Sequence, residues 1–183
     1  MSAPFAALRA GLAERLELLV FVPSWSRRSA TGGSESGFGD LSVGARGGFA
    51  PGRVRVAALA LLTLPTGAEG FSGPTTLRGG LAAESAVGEA TAFATGLVAV
   101  QERDDRLAGD LELSAGLSRA IAEGTSGFVE GYLQTRGRAR DGGGARVGLT
   151  RLLGDDIQLD LYGGIDLVSP TTPVGGAGLS IRW

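Results

Sequence analysis

Period-two alternation constrains this chain more than any other feature. Ile157-Gln158-Leu159-Asp160-Leu161-Tyr162 alternates apolar and polar residues without a break, and Asp110 to Ser118 and Asp40 to Arg46 do the same. Such a pattern puts one chemistry on each face of an extended strand. Similar segments run from Arg15 to Val22, Arg53 to Leu64, Thr76 to Glu84, Phe128 to Arg136, Ala145 to Leu152 and Val174 to Trp183. Ala90 to Gln101 is apolar or small throughout, so its facing is open. Pro4 to Ala13 is expected as a strand, although Leu8, Leu12, Leu16 and Leu19 would also suit a helical stripe. The sum is about 11 strands of roughly ten residues each, an all-β chain.

The connections are expected to alternate in length. Short ones lie near residues 13–15, 50–52, 87–89, 122–125 and 154–156. Longer ones, at 26–37, 66–74, 102–107, 137–144 and 169–173, are rich in Gly, Ser, Thr, Pro or charge. Turns at one end and loops at the other mark an up-and-down transmembrane β-barrel. Gly11, Gly44, Gly80, Gly116, Gly148 and Gly178 recur once per hairpin, each followed by Leu or Ala. Small residues there would let a curved sheet close without crowding.

Alternation does not say which face is inside. A soluble barrel hides its apolar face, and a membrane barrel turns it to lipid. Eleven or twelve strands enclose more space than side chains fill, since about eight is the size that fills well. The polar face carries bulky charges. The chain also ends in Leu179-Ser180-Ile181-Arg182-Trp183, an alternating strand closing on an aromatic residue. Bacterial outer-membrane barrels commonly end this way, and the assembly machinery reads that terminal strand. These features point to lipid outside.

In such a barrel both termini face the periplasm, which makes the strand number even. With the short turns periplasmic, Pro4 to Ala13 would begin on the outer side. The expectation is one outer-membrane domain over residues 1–183, a 12-stranded barrel truncated in its first strand. Leu18 to Val22, flanked by Glu14 and Glu17, does not read as a signal peptide.

The chain is similar to a known family. Gly37-Phe38-Gly39-Asp40-Leu41-Ser42-Val43-Gly44, Leu62-Thr63-Leu64-Pro65-Thr66-Gly67 and Phe128-Val129-Glu130-Gly131-Tyr132 carry the likeness, in order. Ile157 to Gly164 and Gly176 to Trp183 complete it. Together they resemble the outer-membrane transporters grouped under the MetA pathway of phenol degradation. The resemblance implies an outer-membrane transporter or channel without naming a solute.

On the barrel reading the lumen-facing polar residues are Arg9, Glu17, Asp40, Arg46, Arg53, Arg55, Arg78, Glu84, Asp110 and Glu112. Glu130, Tyr132, Gln134, Arg146, Gln158, Asp160, Tyr162, Asp166 and Arg182 complete the set. The two signs nearly balance, whereas strong ion selectivity wants a ring of one sign. Ion pairs between strands are therefore expected, with Glu130, Tyr132, Asp160 and Tyr162 the residues best suited to meet a solute. Trp25 and Trp183, with help from Phe21, Phe38, Phe71 and Tyr132, would anchor the interfaces.

Other functions find little support. The chain has no Cys and no His, which removes thiol chemistry, Cys-type metal sites and the commonest general base. A net charge of −2 gives no footprint for nucleic acid. Asp141-Gly142-Gly143-Gly144 lacks the Lys-Ser/Thr of a phosphate loop and reads as a mobile loop. Ser114 and Ser180 have no base to activate them. The expectation is a non-enzymatic barrel without cofactor or metal, its partners membrane lipid, a small hydrophobic or aromatic solute and the assembly machinery. A barrel with a plugged lumen, or a soluble β-barrel carrying lipid inside, are the rival readings.

Overall fold

The structure, a computed structural model, describes residues 6–23, 25–30, 33–49, 52–103, 106–136, 139–154, 156–167 and 171–181. Among them are thirteen strands and no helix: β1 (Ala6–Ala13), β2 (Leu16–Val22), β3 (Trp25–Ala30), β4 (Gly33–Phe38), β5 (Leu41–Phe49), β6 (Val54–Leu64), β7 (Thr76–Val87), β8 (Ala90–Arg103), β9 (Arg106–Ala122), β10 (Thr125–Arg136), β11 (Ala139–Leu153), β12 (Ile157–Asp166) and β13 (Thr172–Ile181). Eleven form one antiparallel sheet in the order β1-β2-β5-β6-β7-β8-β9-β10-β11-β12-β13, and β3-β4 form a second, two-stranded sheet. The helical alternative for the first segment is set aside: β1 pairs with β2 from Ala6 opposite Val22 to Ala13 opposite Leu16.

The expected barrel is not closed. The sheet order has two ends, β1 and β13. In an antiparallel meander of eleven strands the first and last run parallel, so an antiparallel rung cannot join them.

The expected loops also change character. Residues 26–37 are largely β3 and β4. Phe21 opposes Ser42 and Trp25 opposes Phe38, so the outer hairpin continues the register of the β2–β5 pair. The ladder is broken at Pro23, which has no N–H to donate. The supposed loops at 102–107 and 137–144 are mostly strand too: β8 runs to Arg103, β9 starts at Arg106 and β11 starts at Ala139. The glycine run expected as a mobile loop lies inside β11, with Gly142, Gly143 and Gly144 opposite Gln134, Leu133 and Tyr132. Among the described residues the long connection that stays irregular is 65–75; of the expected connection at 169–173, residues 169 and 170 lie outside the described residues and β13 begins at Thr172. At the opposite end the turns are tight, and Gly52, Gly88, Gly124 and Gly154 adopt φ of 61–71°, a left-handed conformation that a side chain disfavours.

Contacts divide the chain into two compact units. One comprises Met1–Phe49, Ala57–Gly80 and Val98–Gly109. The other comprises Ala50–Val56, Leu81–Leu97 and Asp110–Trp183.

In the second unit, the facing is clearest on β9, whose residues alternate between exposed and half-buried. The exposed members are the apolar ones: Leu111, Leu113 and Leu117 are 36–49% exposed. Asp110, Glu112, Ser114 and Gly116 are the covered ones. β12 repeats this, with Leu159 and Leu161 at 42% and 61% and Gln158 and Asp160 half-buried. The first unit shows the same sense on β2: Leu16, Leu18 and Val22 are exposed, while Glu17 is half-buried and Leu19 buried. The open facing of the eighth strand is resolved as well, since Val98 and Val100 are exposed and Ala99 is buried. Among the described residues the buried apolar side chains are Leu19, Ala57 and Ala99. Ordinary water-soluble domains of this length bury a far larger core.

Candidate functional site

The register of β9–β13 assembles a polar row on the covered face of the second unit. Glu130 on β10 lies opposite Arg146 on β11, and Arg146 lies opposite Gly164 on β12. One residue pair along, Tyr132 opposes Gly144; on the other side Phe128 opposes Gly148, and Gly148 opposes Tyr162. Arg146 is therefore flanked on both diagonals by tyrosines, within reach of long side chains.

Its guanidinium stands 4.2 Å from the Tyr132 ring centroid and 5.6 Å from that of Tyr162. One Nη lies 3.9 Å from a carboxylate oxygen of Glu130. The side chains of Arg146 and Glu130 are 35% and 21% exposed, so the charge is only partly hydrated. A cation over an aromatic face contributes about 0.5–2 kcal/mol, more as water is removed. The Arg146 Nε is buried and without a hydrogen-bond partner among the described residues. The guanidinium is the part-exposed end of a side chain 35% exposed, and its outer N–H groups can offer donors to a guest while its flat faces hold aromatic surface.

Glycines seat the rings. A Cβ on Gly144 would lie 2.8 Å from the Tyr132 hydroxyl and would collide with the Ile165 carbonyl. A Cβ on Gly176 would lie 2.7 Å from the Tyr162 ring, and one on Gly148 would lie 2.5 Å from the Phe128 ring. Gly116 is likewise covered by Phe93. An aromatic ring laid over a cross-strand glycine shields the exposed backbone and pins register. Of the glycine run in β11 this accounts for Gly144, whereas a Cβ at Gly142 would meet the Gln134 side chain. Two of the recurring glycines, Gly116 and Gly148, are thus ring seats as well as small residues, whereas a Cβ at Gly11 would meet open space.

The other sequence-selected residues divide into separate groups. Glu17 opposes Arg46 across β2 and β5, with a charged pair at 3.8 Å. Arg55 on β6 donates to Glu84 on β7 at 2.8 Å. These pairs have side chains 40–71% exposed, where an ion pair contributes about 0–1 kcal/mol. Gln158 donates to Asp160 at 2.7 Å, and Asp160 lies opposite Gly178. Glu112 and Gln134 oppose each other across β9 and β10. Asp110 and Asp166 are half-buried on β9 and β12, as is Arg78 on β7. Arg9 is exposed on β1, opposite Leu19, and Arg53 is exposed in the β5–β6 turn. Arg182 and Trp183 lie outside the described residues.

Two expectations need correction. Asp40 is not a strand residue facing a lumen; it stands between β4 and β5. Its carboxylate accepts hydrogen bonds from Gly67 N at 2.8 Å, Ser72 Oγ at 2.8 Å and Gly73 N at 2.7 Å. The 65–75 connection is thereby tied to the break in the long hairpin. Leu41 N donates to Thr66 Oγ1, and Ala68 N donates to the Phe38 carbonyl. Burial pushes the Asp40 carboxyl up, but hydrogen bonds from Gly73, Ser72, Gly67 and Thr66 outweigh it and hold the group below its ordinary value of 3.8. Tyr132 is no interfacial anchor either, because its ring is engaged over Gly144 and Arg146. Phe71 closes over Gly37, which leaves Phe38, 59% exposed, as the outward aromatic there.

Sequence reading placed Arg146 on the polar face but did not join it to the tyrosines. The joining depends on register across three strands. The one available signal was symmetry: Phe128 and Tyr132 stand as far before residue 138 as Gly148 and Gly144 stand after it.

Residues 9–183 match a family model described as "Putative MetA-pathway of phenol degradation", and the chain belongs to that family. No curated protein matches the chain.

Proposed function

We propose that this protein is a non-enzymatic outer-membrane β-barrel that admits a small hydrophobic or aromatic solute. The observation that carries the reading is the inverted burial on β9 and β12. Leucines stand out and carboxylates are covered, as lipid outside and water inside require. In water that outer surface would be a large sticky patch. The soluble-carrier alternative needs Leu159, Leu161 and Leu179 in a dry interior, yet they are 42–61% exposed. Family membership adds phenol degradation as the pathway context. The Arg146 group supports the solute class, because tyrosine rings and a guanidinium offer flat surface and hydrogen-bond donors to a phenol-like molecule.

A pore closed by antiparallel pairs throughout would take a twelfth strand between β1 and β13, because in a meander of eleven those two run parallel. Assembly would proceed through the C-terminal strand ending at Trp183. A second reading, a barrel plugged by its own side chains, is favoured by the cross-strand pairs Glu17–Arg46, Arg55–Glu84 and Glu130–Arg146.

The test is reconstitution of the protein from detergent into planar bilayers. Steady conductance steps, reduced when phenol occupies the lumen, are expected for the channel. A heat-modifiable, membrane-inserted protein that never conducts would favour the plugged barrel. A protein that refolds fully without detergent or lipid refutes both.

A further inference from the structure

Among the residues whose side chains are described, the apolar outer face of the second unit carries two charged ones, Arg119 on β9 and Arg151 on β11. Arg119 continues the row Leu113, Ala115, Leu117; Arg151 continues Val147, Leu149. Both lie close to the short-turn end of their strands, and the register sets them at nearly one height: Arg119 opposes Gly127 and Arg151 opposes Thr125 on the intervening strand. Two strands apart and two residues out of step, they stand about 12 Å from each other.

Both side chains lean the same way. Arg119 reaches Glu89, which sits in the β7–β8 turn. Arg151 donates to the Glu123 carbonyl in the β9–β10 turn at 3.0 Å and to Thr125 Oγ1. Each guanidinium has left the leucine surface and turned toward the end of the sheet, as snorkelling side chains do at a membrane boundary. Arg119 stays 63% exposed, and a guanidinium has five donors in a fork that matches phosphate. Glu89 occupies only part of that fork.

We infer that Arg119 and Arg151 mark the level of the lipid phosphates at the short-turn edge, where they bind anionic phospholipid headgroups. This rests on the outer-membrane reading, and it goes further by fixing which edge meets which layer and through which side chains. Charge complementarity favours an anionic partner at this border, because the two cations stand on a face whose other exposed described members are apolar, while Glu89, Glu123 and Asp156 stand in the turns beyond it. The pair also sets the vertical position of the sheet: the leucines between it and the long-hairpin end fill the acyl region.

The experiment is insertion of the urea-unfolded protein into phosphatidylcholine vesicles with and without phosphatidylglycerol. The wild type inserts better when the anionic lipid is present, and each of R119Q and R151Q lowers that preference about fivefold. Added salt erases the difference. A second measurement does not depend on how well the Gln variants fold. In wild-type protein carrying 13C-guanidinium arginine, lipid 31P dephases guanidinium signals, and the charge-keeping R119K and R151K variants lose part of that dephased signal. An unchanged lipid preference in the Gln variants, or unchanged dephasing in the Lys variants, overturns the inference while the membrane reading stands. A protein that inserts into neither vesicle overturns the membrane reading itself.

Discussion

Replacing Asp40 by alanine should free the connection between β6 and β7 while the sheet stays formed. Three hydrogen bonds converge on the Asp40 carboxylate, from Gly67 N, Ser72 Oγ and Gly73 N, at 2.7–2.8 Å. A bond to a charged group contributes about 1.5–3 kcal/mol when buried. Ser72 and Gly73 are exposed and Asp40 only half-buried, so the low end applies and water recovers part of each bond. About 2–3 kcal/mol of docking is left, close to a hundredfold in the closed-to-open ratio of the connection. Two bonds beside the carboxylate, Leu41 N to Thr66 Oγ1 and Ala68 N to the Phe38 carbonyl, should weaken with it. The assay is amide hydrogen exchange of the reconstituted protein, read at Gly67 and Gly73, whose acceptor is the substituted side chain. Their protection should fall about a hundredfold, whereas amides of β10–β12 stay as they were. Asp40→Asn keeps one acceptor oxygen and should lie between. The sign with pH follows from a carboxyl held below its ordinary 3.8. Docking is complete above that ordinary value and is lost as pH falls through the lowered one. Unchanged protection at Gly67 and Gly73 in the alanine variant, with the sheet intact, would refute the tie.

Gly144→Ala should lower stability by about 1–3 kcal/mol through overpacking, since its Cβ would meet both the Tyr132 hydroxyl and the Ile165 carbonyl; urea unfolding in detergent micelles measures it. A Cβ at Gly163 meets nothing within 4 Å, so Gly163→Ala is the matched control and should change little. Leu161→Arg, at a position 61% exposed, should reduce insertion into bilayers by about 2–4 kcal/mol if it lies at mid-depth. Equal insertion of that variant and the wild type would place Leu161 away from lipid.

Strand identity and facing were legible because they are local. Ile157 to Tyr162 must show two chemistries on two faces whatever its neighbours are, and the five family-like segments stand in chain order. The outer hairpin was hidden because Ser26 to Gly37 is polar on both faces, so no alternation marks it. The ends of β8, β9 and β11 were drawn too short for a similar reason. Charge and glycine there imitate a loop, and only a facing ring or a ladder partner makes them strand. Asp40 misled because its alternation with Leu41 and Ser42 is real, while its bonding partners lie more than 25 residues away in sequence.

The sequence by itself determined an all-β chain with one greasy and one charged face, because period-two alternation acts residue by residue. Tertiary structure alone decided that Arg146 lies between Tyr132 and Tyr162 and that Asp40 holds the 65–75 connection. Those facts depend on register and on long-range hydrogen bonds, and shifting any strand by one residue would reassign every cross-strand neighbour. The strand order also left β1 and β13 as two edges of the sheet, which alternation within a strand cannot express.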